Sequence, residues 1–125
     1  MVFGKGETIL VVDDEDSVRG VARELLGSIN YKVLEAGDGV SAIDIFKANR
    51  VDVGLVILDV VMPRMGGVQA AEVIRSISPD MPIIFATGYD QDSVLDDVAG
   101  WDHIAVLSKP YRAVQISAEI RKLID

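Results

Sequence analysis

The sequence predicts a doubly wound α/β domain: five parallel strands in the order 2-1-3-4-5, each followed by a helix, with both faces of the sheet covered. Three observations carry this. Five short apolar runs recur along the 125 residues, segments of helical spacing lie between them, and Gly or Pro marks the junctions. Apolar runs without polar alternation suit strands buried on both sides, as a parallel sheet under two helix layers requires.

Taken in order, residues 9–12 form the first run and end in the acidic cluster Asp13, Asp14, Glu15 and Asp16. Val18, Val21, Ala22, Leu25, Leu26 and Ile29 then repeat at helical spacing and stop at Asn30. The second strand falls at 33–34 within YKVLEA, AGDG closes it, and DGVSAIDIFKANR supplies the second helix. Residues 55–58 make the third strand, followed by MPRMGG and the helical GGVQAAEVIRSIS. SPDMP introduces the fourth strand at 83–86, and DQDSVLDDVAG gives a short fourth helix. The fifth strand, 104–107, closes at KPY, and Ile116, Ile120, Leu123 and Ile124 carry the last helix. Residues 1–6 read as a flexible tail or cloning remnant, and 7–125 as one domain.

Composition narrows the function classes. Apolar residues make up 50% and charged residues 26%, a globular balance. A chain this long buries roughly two thirds of its unfolded surface, enough for a core without staples. The absence of cysteine excludes a disulfide framework and a thiolate metal site, and suits a reducing cytoplasm. No apolar run is long enough to span a bilayer or to read as a signal peptide, so a soluble cytoplasmic protein is expected. With 12 basic against 20 acidic side chains the net charge is −8, which disfavours nucleic acid and anionic membranes and favours divalent cations and basic protein surfaces.

Why four carboxylates follow a buried strand is the central question, because like charges at one spot repel unless solvated, set at a helix start, or neutralised. In an open parallel sheet the ligand crevice lies at the carboxyl ends of the strands, where the strand order reverses. The first strand ends in Asp13 and Asp14, the third in Asp59, the fourth in Thr87, and the fifth, after Ser108, in Lys109. With strands one and three adjacent, three carboxylates meet beside a hydroxyl, and Lys109 is long enough to reach them. This is a hard-oxygen site suited to Mg²⁺ or Mn²⁺. Glu15 and Asp16 then begin the first helix, where acids favour the dipole and Asp16 can cap. A carboxylate beside such a cation can act as a nucleophile toward phosphorus, with metal, lysine and hydroxyl neutralising the incoming oxygens.

The motifs ILVVDDE, VILDVVMPRMGG, IIFATGY and LSKPY, in this order and at this spacing, resemble the receiver domains of bacterial two-component signalling, over nearly the whole chain. The resemblance implies the flavodoxin-like (βα)5 fold and a phosphorelay role. Asp59 corresponds to the phosphoryl acceptor, Asp13 and Asp14 to the metal carboxylates, and the Val61 carbonyl to the remaining protein ligand. Thr87 and Lys109 correspond to the groups that hold phosphoryl oxygens, with Pro110 after a bond that is often cis in this family. Implied partners are a histidine kinase or phosphotransfer protein as donor, and a downstream protein that reads the face of helix four, strand five and helix five. A second copy of the chain is the other candidate for that face. The sequence departs from the family at Val106, where an aromatic switch residue is usual. Tyr89 and Val61 occupy positions that tune hydrolytic water, and their bulk implies slow dephosphorylation. GETILVVDDE resembles receivers of hybrid sensor kinases; a stand-alone regulator and a piece of a longer one are the other readings.

Two rival readings fit parts of the pattern. A phosphatase of the haloacid dehalogenase type also uses an aspartyl-phosphate, and DEDSV fits its opening, with Asp14 as nucleophile and Asp16 as acid. Its acidic motif after the lysine is missing, since only Glu119 and Asp125 follow Lys109, and Asp59 would be idle. A protein-binding module that is never phosphorylated, or a flavodoxin-like phosphate binder, is the second; the acidic first loop would repel a phosphate. His103 reads as structural or exposed, Trp101 and Tyr111 as edge packing or partner surface, and Met62 and Met65 as loop packing. Arg19 and Arg23 read as a solvated helix face that can meet a partner.

Overall fold

The computed structural model describes residues 1–88 and 91–125. Its elements alternate as the sequence predicts: β1 (Thr8–Val12), α1 (Asp16–Ser28), β2 (Lys32–Ala36), α2 (Gly39–Ala48), β3 (Val53–Asp59), α3 (Gly67–Ile77), β4 (Ile83–Thr87), α4 (Gln91–Asp97), β5 (Ile104–Ser108) and α5 (Ala113–Ile124). All strand pairs are parallel, in the order β2-β1-β3-β4-β5. Three strands run beyond their apolar runs into the polar residues Asp59, Thr87 and Ser108, so backbone pairing carries these side chains to the sheet edge.

The unbroken runs have the predicted physical cause. Successive strand side chains point to opposite faces, so a strand buried on both needs apolar residues throughout. Leu10, Val12, Val56, Leu58 and Phe85 enter one core with Phe46, Ala70 and Ile74 of α2 and α3. Ile9, Val11, Leu55, Ile57 and Ile84 enter the other with Leu26, Ile116 and Ile120 of α1 and α5.

Two local details differ from the sequence reading. Asp16 does not cap α1: Glu15 occupies the cap without a side-chain bond, while Asp16 is the first helical residue and pairs with Arg19. The turn is instead closed from upstream, by the Glu15 N–H donating to Asp13 Oδ1 at 2.9 Å. Within the stretch read as a tail, residues 1–3 are exposed, but Gly4 N–H donates to the Ile29 carbonyl at 2.7 Å and Gly6 N–H to that of Asn30 at 2.9 Å. Gly4 packs so closely on Tyr31 that a Cβ there would lie 2.4 Å from the ring.

The bottom of the domain is tied by Arg121, only 7% exposed, which donates to Glu7 Oε2 at 2.7 Å and Tyr31 Oη at 3.4 Å and also pairs with Asp125. Burial alone would raise the Glu7 carboxyl, but the Arg121 bond, backbone N–H groups led by that of Lys5, and the Arg121 charge together outweigh it and hold the group below its ordinary value of 4.5. A carboxyl depressed on folding stabilises above its unfolded pKa, and that contribution is lost as the pH falls through the folded value. Glu7→Gln is therefore expected to cost about 1.5 kcal/mol at pH 7, the low end for a hydrogen bond between charged groups, since the Glu7 side chain keeps 21% of its surface in solvent. Urea denaturation of both proteins should show the gap shrinking once the pH drops below 4.5 and closing after it has passed the lower folded value, where Glu7 is protonated in both states.

Candidate functional site

The polar residues at the strand ends are set by an extension of the sheet's own hydrogen bonding. Asp13 N–H donates to the Ala36 carbonyl of β2 at 3.1 Å, Val60 N–H to that of Ala86 at 3.1 Å, and Lys109 N–H to that of Thr87 at 2.8 Å. The ladder thus continues one residue past β1, β3 and β5, and fixes the backbone from which the site's side chains project.

Asp13 and Asp59 are buried, at 3% and 7% exposure, whereas Asp14 faces solvent. One carboxylate oxygen from each of the three lies within 4.8 Å of the others, and among the described residues this is the group arranged to hold a metal. Lys109 crosses from the edge strand as the sequence suggested: Nζ is 2.6 Å from Asp13 Oδ2 and 3.3 Å from Asp59 Oδ1. The Lys109–Pro110 bond is cis. Thr87 is buried at the end of β4.

Burial, then the charge of Asp13, pushes the Asp59 carboxyl above its ordinary value, against the pull of Lys109. Burial alone would lower Lys109, but its bond to Asp13 and the two carboxylate charges outweigh it and keep it firmly an ammonium. Three carboxylates against one ammonium leave negative charge uncompensated in a partly desolvated crevice. An all-oxygen set with this excess charge fits Mg²⁺ or Mn²⁺, hard cations that take few carboxylates and keep waters.

Glycine allows the closest approach around Asp59. A Cβ on Gly67, the first residue of α3, would stand 2.2 Å from the Asp59 carbonyl oxygen, and Gly67 N–H donates to the Val60 carbonyl at 2.9 Å. On the neighbouring rim, Asp38 caps α2 by accepting from Ser41 N–H at 2.8 Å and pairs with Arg64 Nη2 at 2.7 Å, joining the loops after β2 and β3. Val61 is 59% exposed on that loop. Tyr89 lies outside the described residues.

The other sequence readings fall as follows. Val106 pairs with Phe85 in register, and the aromatic that packs on Phe85 is Trp101, with ring centroids 6.3 Å apart and the Arg75 guanidinium 5.6 Å from the indole centroid. His103 is exposed just before β5, and its carbonyl accepts from Ile83 N–H at 3.0 Å, with no place in the acidic group. Met62 is buried in the core and Met65 packs against it. Tyr111 lines an apolar groove of about 450 Å³ between α1 and the β5–α5 loop, together with Val18, Val21, Leu25 and Lys109. Arg23 is a solvated pair with Glu35, but Arg19 is not solvated: its Nη1 donates to the Asp13 carbonyl at 2.6 Å, and its side chain is 17% exposed. The sequence reading placed Arg19 on a solvated face and missed its contact with Asp13; the one signal was its spacing of three from Asp16. Asp16 itself is exposed, pairs with Arg19 and has no place in the group of Asp13, Asp14 and Asp59, which disfavours it as the acid that the dehalogenase-type assignment needs.

A family model for the response regulator receiver domain matches residues 9–121. The chain belongs to the receiver domain family. This receiver is 42% identical over 118 residues to response regulator MprA of Mycobacterium sp. (strain KMS), covering 93% of this chain and 50% of that protein. It is 33% identical to sensor kinase CckA of Brucella abortus, covering 94% of this chain and 12% of that protein. The receiver therefore spans about half the length of MprA and a small part of CckA. The crystal structure of response regulator protein TrrA from Thermotoga maritima in complex with Mg(2+)-BeF superimposes with a TM-score of 0.79 at 31% identity, covering 94% of this chain and 98% of that one. Among the described residues no helix is long and apolar enough to cross a membrane.

Proposed function

We propose that this receiver accepts a phosphoryl group on Asp59 from a phosphohistidine, presented by a histidine kinase or a phosphotransfer protein, and that the modification changes a protein-binding face. The observation that carries the reading is the buried Asp59 carboxylate facing Lys109 beside two further acids. An Asp59 oxygen attacks phosphorus, the P–O bond forms as the P–N bond breaks, and the imidazole nitrogen leaves with that electron pair. Asp13, Asp14, Asp59 and the Val61 carbonyl would hold Mg²⁺ or Mn²⁺, which when bound supplies positive charge to the transferring oxygens. Support for that cation comes from the uncompensated charge and from TrrA, crystallised with Mg(2+)-BeF.

Lys109 holds the acceptor before transfer and, by exchanging its Asp59 contact for a phosphoryl oxygen, stabilises the product. Thr87 takes another phosphoryl oxygen with its hydroxyl. Both sit where β4 and β5 end, so their rearrangement biases the loops leading into α4 and α5. Leu95 and Val114, exposed on those helices, belong to the face that a downstream partner or a second copy reads. The chain catalyses its own phosphorylation and a slow dephosphorylation, with no external substrate to turn over, and acts in the cytoplasm.

Intact-mass spectrometry after incubation with acetyl phosphate tests this. The expected result is a gain of one phosphoryl group that needs Mg²⁺, is lost in Asp59→Ala, and outlasts seconds at neutral pH once the donor is removed. A gain that persists in Asp59→Ala would move the acceptor elsewhere, and no gain in any sample would favour the unphosphorylated binding module.

A further inference from the structure

Every polar atom of Asp13 is engaged. Its N–H donates to Ala36, its Oδ1 accepts from Glu15 N–H, its Oδ2 accepts from Lys109, and its carbonyl accepts from Arg19. Three of these contacts are local turn, sheet and site bonds. The fourth comes from a long cation on α1, and that cation is itself braced. Arg19 Nη2 pairs with Asp16 and Nε lies 3.5 Å from Glu35 Oε1 on β2, while its own backbone N–H makes the first turn of the helix by donating to Glu15 at 3.1 Å. Gly37 lies close beside the guanidinium: a Cβ there would stand 3.3 Å from Nη1, a tight contact.

We infer that Arg19 is a positioning residue: by clamping the Asp13 carbonyl against α1 and β2, it fixes the turn that aims Asp13 and Asp14 at the metal. This rests on the metal reading of the site. Groups behind metal ligands set ligand orientation, and their loss typically weakens metal affinity by about ten- to a hundredfold. The rival explanation is plain electrostatics, and it has the opposite sign. Removing a cation near three carboxylates makes the crevice more negative and should tighten a divalent ion. A merely structural role, holding α1 on β2, would be shared by Arg23, whose Nη1 lies 2.8 Å from Glu35 Oε2 without touching Asp13.

The test is Mn²⁺ titration of the full chain, with free Mn²⁺ read by electron paramagnetic resonance, on wild type, Arg19→Ala, Arg19→Lys and Arg23→Ala, with thermal midpoints in parallel. Arg19→Ala is expected to weaken Mn²⁺ binding about tenfold. Arg23→Ala should leave it unchanged, even where both midpoints fall. Arg19→Lys keeps the charge but has one point donor where the guanidinium serves three acceptors, so it should also bind more weakly; it decides the matter if Arg19→Ala does not fold. Unchanged or tighter binding by the Arg19 variants, or equal weakening by Arg23→Ala, would overturn the inference while leaving the metal site intact. A wild type that binds no Mn²⁺ would overturn both.

Discussion

Gly67→Ala is expected to lose about 3 kcal/mol of stability and to lower the thermal midpoint by roughly 10 °C, at the upper end of overpacking costs. The new methyl would stand 2.2 Å from the Asp59 carbonyl oxygen and 3.0 Å from both the Asp59 carbonyl carbon and Val60 Cα. All three are backbone atoms, so no side chain can swing aside. Either α3 moves away from the sheet or the end of β3 gives way, and the latter displaces Asp59 itself. Gly39→Ala makes a graded comparison, because its Cβ would meet the Met65 carbonyl at 2.6 Å and the flexible Met65 side chain at 2.7 Å, in a loop with more freedom to shift. Guanidinium denaturation of the two variants should therefore give a larger loss for Gly67→Ala; equal losses would mean that β3 is as yielding as the loop.

Lys109→Met separates the two tasks given to that ammonium. Without a divalent cation the variant leaves Asp13 and Asp59 facing each other with no counter-charge, and a loss of about 2 kcal/mol at neutral pH is expected, below the usual cost of orphaning a buried charge because the lysine is 21% exposed. Asp59 is already raised by burial and by Asp13, and a carboxyl raised on folding destabilises above its unfolded pKa. That penalty is relieved as the pH falls through the folded value, so the variant's deficit should shrink in acid. Saturating Mg²⁺ should raise the midpoint of Lys109→Met more than that of the wild type, because the cation replaces the missing charge. Labelling by acetyl phosphate should slow about a hundredfold, the scale for losing one preorganised donor to a transferring group. A variant with full stability and unchanged labelling would relieve Lys109 of both tasks.

The fold was legible because its demands fall on residue type. Strands buried on both faces need uninterrupted apolar runs, and those at 9–12, 55–58 and 83–86 lie inside observed strands. The gathering of the candidate site residues was legible because Asp13, Asp14 and Lys109 follow strands and Asp59 ends one at the sheet's carboxyl edge, and adjacency follows once the strand order is known. What escaped were contacts that depend on direction. Arg19 looked like a neighbour of Arg23 on a wet helix face, yet a side chain on an N-terminal turn reaches back toward the preceding loop and meets the Asp13 carbonyl. Asp16 carried the composition of a cap, but the helix starts one residue earlier: Glu15 holds the cap position, its carbonyl accepts from Arg19 N–H, and Asp16 is already helical. Gly67 read as turn punctuation, because nothing in the letters says that a strand carbonyl will press against it.

The hydrogen bonds that run one residue past β1, β3 and β5 also say where this chain is free to drift. Spacing among the acids and the lysine is inherited from backbone pairing, about 4.8 Å from strand to strand, and owes little to the helices' outer surfaces. Those surfaces can exchange residues for new recognition tasks while the chemistry beneath them stays on its grid. Agreement in shape with TrrA at only 31% identity is what such a division between a fixed edge and free exteriors would produce.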